Sequence, residues 1–422
     1  MSIKTPPNQP ARRRLIQGAG AFAGLATTGF PMISLAQDKP IRIGMPTILS
    51  GRVATLGLSS RNAVMMAVEE FNAAGGLNGR KIEMVIRDSK GQPQEAARIA
   101  RELVNTDGCE ILLDAEASSG AFAVHEVARD LGVLCIHTNS ETSSLTADPK
   151  LRLPNAFRCC RQGIHDAVVG GAYSAKVAKD LGLRRWMSVS PDYAYGRDTT
   201  AEFMLYLKHF NKDVEVTGDV WPKLFQPDYS EVITRLVQGK PQAIYSALWG
   251  GDLSSFIDQG NIYAMFKDRQ FFAVNMADYT VLTQVKNVPP NLHSGNRYLR
   301  SFPNTPDNNA WADKYFAAHK EMPTNWAWQN STTVAFLTTA MKKANSADGK
   351  KIAEALRGLT IDSRHGANGK VTMRAEDNTL VGYAVGWGVL SNKEPFMQNP
   401  VPGDWQTITE LEAEWKKSKG WA

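Results

Sequence analysis

The chain has 422 residues, of which 43% are hydrophobic and 21% charged. That composition excludes a disordered or fibrous polymer, and the length suits two or so globular domains rather than one. The formal net charge is +6. Four of those charges, Lys4, Arg12, Arg13 and Arg14, sit in an N-terminal segment without an acid, which leaves +2 and removes the case for a nucleic-acid binder.

Residues 1–36 run from basic to apolar to small, ending in Ser34-Leu35-Ala36. This order predicts an export signal and a soluble, exported mature protein. Arg12-Arg13-Arg14-Leu15-Ile16 also fits a twin-arginine address, although the general secretory route stays open. A membrane helix is the competing reading. Gly29 and Pro31 interrupt the apolar run, which is short for a span, and no later stretch reaches about 18 consecutive apolar residues.

From residue 41 strands and helices alternate. Residues 41–48 predict a strand, 49–57 a turn-rich loop, and the following segment a helix to about Ala74. Ala63, Met66, Ala67, Phe71 and Ala74 share a face of that helix, and Gly75-Gly76 end it because glycine accepts the left-handed cap conformation. Residues 81–87 predict the second strand. Pro93 opens the next helix, with Ala96, Ile99, Ala100, Leu103 and Val104 as its buried stripe. Strands follow at 109–114 and 133–137, with a helix between them. Such β-α-β alternation implies a parallel sheet covered on both faces.

A second series starts after Phe157-Arg158. Strands are predicted at 185–189, 214–220, 243–248 and 270–274, and helices at 198–209, 230–237 and 252–259; Pro289-Pro290 then breaks the pattern. The remainder is mostly helical, at 307–319, 332–344 and 350–356, with extended segments at 371–373 and 383–390 and a closing helix at 408–416. Two β-α series with a helical return suggest two lobes linked by more than one crossing.

Enzyme motifs are missing. Gly18, Gly20 and Gly24 superficially match a dinucleotide fingerprint, but they follow no strand and sit in the export segment. There is no Walker A motif and no nucleophile elbow, and the seven histidines lack metal-ligand spacing. No cofactor and no metal are expected. Cys109 and Cys135 fall in consecutive β-units and are either bridged or buried as thiols. Vicinal Cys159 and Cys160 seldom bridge each other without strain.

In open parallel sheets ligands bind beyond the carboxyl ends of the strands. The loops in that position are 50–57, 115–120 and 138–144 in the first series. In the second they are 192–196, 249–252 and 275–278. Ser118 or Ser119 can cap the helix after the third strand, or the exposed amides there can take a carboxylate. Tyr195 and Trp249 suit a flat or apolar ligand body, and equally suit ordinary packing.

The segments Ile41-Arg-Ile-Gly-Met-Pro, Ser50-Gly51 and Val68-Glu-Glu-Phe-Asn-Ala-Ala-Gly-Gly-Leu-Asn-Gly79 resemble the periplasmic binding proteins of branched-chain amino acid type. Arg87-Asp88, Phe157-Arg158 and Tyr193-Ala-Tyr195-Gly196 add to the likeness, which spans roughly residues 39–395. It implies an α/β fold of two doubly wound parallel-sheet lobes joined by a three-crossover hinge. The first lobe would hold residues 37–157 and 298–370, and the second 158–297 and 371–422. It implies a non-enzymatic, periplasmic, monomeric protein that closes on a small organic solute and delivers it to the permease of an ATP-driven importer. By the same resemblance Ser118, Asn139 and Glu141 would hold the ligand's polar groups, with Tyr195, Trp249 and Trp326 around its body. Asn275 falls where the family carries an ammonium-binding acid, Leu56 where it commonly carries an aromatic, and Glu141 where a small hydroxyl residue is usual. Those departures point from an ordinary α-amino acid toward an aromatic or amide-bearing acid, unless Glu141 takes the cation. A ligand sensor on the same fold, or an α/β enzyme, is the alternative.

Overall fold

The computed structural model describes residues 39–421, so the export segment falls outside the described residues. The chain begins β1 (Ile41–Thr47), α1 (Ala54–Ala73), β2 (Ile82–Asp88), α2 (Pro93–Asn105), β3 (Ile111–Asp114), α3 (Ser118–Leu131), β4 (Leu134–His137), α4 (Ser144–Ala147) and β5 (Ala156–Arg158). It continues α5 (Gly163–Leu181), β6 (Arg185–Val189), α6 (Ala194–Phe210), β7 (Glu215–Val220), α7 (Ser230–Gln238), β8 (Ala243–Ser246), α8 (Gly250–Ile262), β9 (Gln270–Asp278), α9 (Tyr279–Leu282) and β10 (Leu292–Tyr298). The last part is α10 (Pro306–His319), α11 (Asn325–Ala344), α12 (Gly349–Leu356), β11 (Thr360–Asp362), β12 (Lys370–Arg374), β13 (Thr379–Val381), β14 (Gly386–Leu390), β15 (Met397–Pro402) and α13 (Trp405–Ser418).

These elements form two sheets. One has the order β11-β12-β13-β5-β4-β3-β1-β2, the other β15-β14-β10-β9-β8-β6-β7. Each contains five parallel strands in the doubly wound order 2-1-3-4-5; β13 adds a sixth parallel strand to the first sheet, and antiparallel pairs extend that edge of both sheets. The central strands are buried along most of their length: β3, β4 and β8 expose no residue. That is why they read as short unbroken apolar runs rather than alternating ones.

Doubly wound sheets open a crevice where the strand order reverses, between the first and third strands of each set. In the first lobe that point lies after β1 and β3, and in the second after β6 and β8. The loop after β1 is held close to α1 by Gly57, where a Cβ would sit 1.8 Å from the carbonyl oxygen of Ile48. Only glycine permits that approach.

Among the described residues the chain passes between the sheets three times: from β5 to α5, from β10 to α10, and from β13 to β14. One expected boundary is displaced. The resemblance places the segment beginning at residue 371 in the second lobe, but β12 and β13 belong to the first sheet. They pair with each other through Met373 and Leu380, and β13 pairs with β5 through Thr379 and Arg158. Burial of Val371, Met373 and Leu380 keeps the hairpin on the first lobe, so the handover comes after Val381. The sequence reading also passed over α5, whose face toward α6 is made of small residues. A Cβ on Gly171 would lie 2.6 Å from the Tyr206 Cβ.

The four cysteines are buried free thiols. Cys135 is in register with Leu112, three residues beyond Cys109. That is roughly 10 Å along the strands, out of reach of a disulfide. Burial pushes the Cys109 thiol up to about 11 and the Cys159 thiol to about 12.

Candidate functional site

The loops beyond the two switch points face each other and enclose a small cavity with room for about 50 Å³. The first lobe supplies Leu56 after β1, Ala117 and Ser118 after β3, and Asn139 and Glu141 after β4. The first turn of α11 adds Asn325 and Trp326. The second lobe supplies Tyr193 and Tyr195 after β6, Trp249 and Gly250 after β8, and Asn275, Asp278, Thr280 and Arg297 from the ends of β9 and β10.

Of the eight residues expected at the site, seven line this cavity. Ser119 does not. It follows Ser118 on α3 and is therefore turned about 100° around the helix axis, where it is half-buried. Neither serine caps α3: the N-cap is Ala117, with no side-chain cap. The first-turn amides of α3 therefore have no side-chain partner at the cavity end of the helix, where the macrodipole favours negative charge. Ser118 Oγ accepts from Thr142 Oγ1 at 2.7 Å and from Ser140 Oγ at 3.3 Å. With its lone pairs occupied, its own O–H is left to donate.

Asn139 is held as a fixed strut: its Nδ2 donates to Ser60 Oγ at 3.3 Å, and its Oδ1 accepts from Asn330 Nδ2 at 3.0 Å. On the opposite wall Asn275 Nδ2 donates to the Leu248 carbonyl and the Tyr195 hydroxyl, both at 3.0 Å. Asn275 thus positions Tyr195 rather than carrying charge. Burial, its largest influence, lifts the Tyr195 phenol above its usual range, so it remains a neutral donor. Trp249 and Trp326 meet from opposite walls with ring centroids 6.0 Å apart and planes 30° apart.

Of the charged residues that line the cavity, Glu141 was expected, Asp278 lay in a segment singled out from the sequence, and Arg297 was missed. Arg297 pairs with Glu141 Oε2 through Nη2 and with Asp166 Oδ2 through Nη1, the latter at 2.9 Å. Glu141 Oε1 accepts from Asn325 Nδ2 at 2.8 Å. Asp166 also pairs with Arg161. Burial alone would raise the Asp166 carboxyl, but the two guanidiniums outweigh it and hold the group below its ordinary value. Asp278 accepts from Thr280 N at 2.9 Å and from Asn325 N at 2.6 Å. Burial outweighs those bonds and raises it. Asp278, the last residue of β9, was visible as part of the 275–278 segment. Asn325 was hidden because the start of α11 is buried all round and shows no one-sided apolar stripe, and Arg297 because a strand-end arginine has no sequence signature.

Both Glu141 oxygens are thus engaged by protein donors, so the possibility that Glu141 takes over a ligand ammonium finds no support in this geometry. Across the mouth, Arg52 of the first lobe reaches the second. Its Nε lies 3.2 Å from Asp252 Oδ1, and its Nη2 lies 2.9 Å from Ser255 Oγ. Among the described residues no group of three or more His, Cys, Asp or Glu side chains is arranged to hold a metal ion.

Two similar α/β lobes, three crossings and a cavity built from facing switch-point loops define a two-lobed cleft binding protein. A family profile described as periplasmic binding protein matches residues 40–385, and this chain belongs to that family. It is 26% identical over 350 residues to the leucine-, isoleucine-, valine-, threonine- and alanine-binding protein of Pseudomonas aeruginosa, covering 82% of this chain and 89% of the relative. The fold matches an ABC-transporter solute-binding protein of Rhodopseudomonas palustris in complex with 3,4-dihydroxybenzoic acid. There the TM-score is 0.78 at 19% identity, over 87% of this chain and 98% of the other. It also matches a branched-chain amino acid transporter substrate-binding protein of Streptococcus pneumoniae in complex with isoleucine. In that case the TM-score is 0.71 at 19% identity, over 86% and 100% of the two chains.

Proposed function

We propose that this protein is the exported substrate-binding component of an ABC importer and that it captures a small aromatic carboxylic acid. The observation that carries the ligand class is the division of labour in the cavity. Uncapped amides of α3 and the Ser118 hydroxyl offer a carboxylate site on one wall. Tyr195, Trp249 and Trp326 surround the space beyond it, and no lining acid is left without a protein donor. A carboxylate gains from the helix terminus and an apolar ring gains from the aromatic walls. An α-ammonium gains little here.

Closure follows from the same geometry. A ligand that touches both walls only when the lobes are together shifts the equilibrium by its differential affinity. In this reading the lobes open about the three crossings, and the Arg52–Asp252 contact across the mouth is among those that rotation separates. Release then goes to membrane permease subunits, with the binding protein acting as a monomer in the periplasm and performing no chemistry itself. Similarity to solute-binding proteins, including relatives in complex with hydroxylated benzoic acids, supports this reading.

An aliphatic amino acid is the second reading, favoured by the Pseudomonas aeruginosa relative. The mature protein should be titrated with benzoate, hydroxybenzoates, branched-chain amino acids and small amides, following thermal unfolding and solution scattering. Benzoates are expected to raise the melting temperature. Stabilisation by the amino acids alone would overturn the aromatic-acid reading, and no response to any probe would remove the solute-binding reading itself.

A further inference from the structure

Among the described residues, the one guanidinium that lines the cavity is already occupied by a protein carboxylate. Glu141 and Arg297 both line the space, and both are about 4% exposed. Arg297 has one nitrogen on Glu141 and the other on Asp166. Asp166 in turn pairs with Arg161, whose Nη1 donates to the Ala384 carbonyl at 3.3 Å. Two guanidiniums thus face two carboxylates, and this buried chain carries no net charge. Asp278 adds a further acid to the lining, so no lining cation is uncompensated.

We infer that Glu141 is a specificity-determining residue that occupies Arg297 in place of a ligand carboxylate and so restricts the site to monocarboxylates. This inference rests on the reading of the cavity as a solute site. A guanidinium presents a planar fork that fits a carboxylate. Left free beside the aromatic walls, Arg297 would accept the far acidic group of a dicarboxylate. With Glu141 in place, a second ligand carboxylate meets a like charge whose counter-ion is already shared, and like-charge juxtaposition in a desolvated site is strongly unfavourable. Glutamine at position 141 keeps the size of the side chain and an oxygen to accept from Asn325, but it removes the charge. The Arg161–Asp166–Arg297 chain then carries one net positive charge facing the cavity.

The test is calorimetric titration of the mature wild-type protein and of Glu141→Gln with benzoate, glutarate, terephthalate and L-leucine. The wild type should bind benzoate and discriminate against both dicarboxylates. In Glu141→Gln the preference for benzoate over at least one dicarboxylate should fall by about tenfold or more. An unchanged ratio would overturn the inference. So would wild-type affinities for benzoate and a dicarboxylate within about threefold of each other, a comparison that stands even if the variant does not fold. Tight L-leucine binding that is lost in the variant would show Glu141 to be an ammonium receptor and would also overturn it. If the wild type binds none of the four, the solute-site reading fails, an outcome distinct from a failure of selectivity.

Discussion

At the residue scale, the side chains of the cavity are fixed by neighbours that take no part in the lining. Ser118 is the clearest case: two hydroxyls from the 140–142 loop orient its oxygen, so its proton is the part left for a ligand. Ser118→Ala should weaken benzoate binding by about 1–1.5 kcal/mol, roughly tenfold, and should also lower the melting temperature of the free protein, because the buried Thr142 and Ser140 hydroxyls lose their acceptor. Calorimetry on the folded variant checks this.

His293 gives a pH prediction. It is buried between Tyr173 and Gln270, with ring nitrogens 2.9 and 3.0 Å from their side-chain oxygens, and burial lowers its pKa to about 4. The unfolded chain takes up this proton below about pH 6.5 and the folded chain only near pH 4. The contribution to stability is therefore intact above pH 6.5 and is lost as pH falls through that window, reaching roughly 3 kcal/mol. The His293 ring resonances should not titrate above pH 5. In His293→Gln the fall in stability between pH 6.5 and 4 should be smaller than in the wild type.

At the scale of elements, glycine decides where helices can touch. The loop after β1 carries both Arg52 and the approach to Leu56, and Gly57 brings α1 against Ile48. Gly57→Ala should cost about 2–3 kcal/mol, as overpacking typically does. The urea midpoint would fall with an unchanged slope. The elements were mostly legible because each β-α unit buries a periodic stripe. The exceptions share a cause. Helix α5 packs through small residues and so lacks a strong apolar stripe. The first six residues of α11, Asn325 to Asn330, are all buried, so they show no one-sided apolar stripe, and the helical character shows only from about Thr332 onward. Strand β13 has three residues, too few to show a period.

At the scale of the whole molecule, the contacts across the mouth govern closure. Arg52 is about one-third exposed while Asp252 is buried, and Asp252 also accepts from the Phe225 amide at 2.7 Å. Burial, its largest influence, raises the Asp252 carboxyl. Arg52→Ala should therefore leave each lobe folded but shift the balance toward the open form. Ligand should dissociate about three- to tenfold faster, as expected for the loss of one partly exposed, multiply bonded contact. Solution scattering should show a larger radius of gyration at subsaturating benzoate.

Sequence alone determined the alternation of strands and helices, the two series, and the loops at strand ends from which the cavity is made. Those follow from local periodicity and from the rule that parallel sheets present their functional loops at one end. The partners of the charged groups were decided only by the tertiary structure. Glu141 and Arg297 lie 156 residues apart, and nothing near either residue marks the other. Membership of β12 and β13 in the first sheet was likewise settled by a distant partner, β5. Local sequence fixes which faces must be buried, but not which of the available surfaces will bury them.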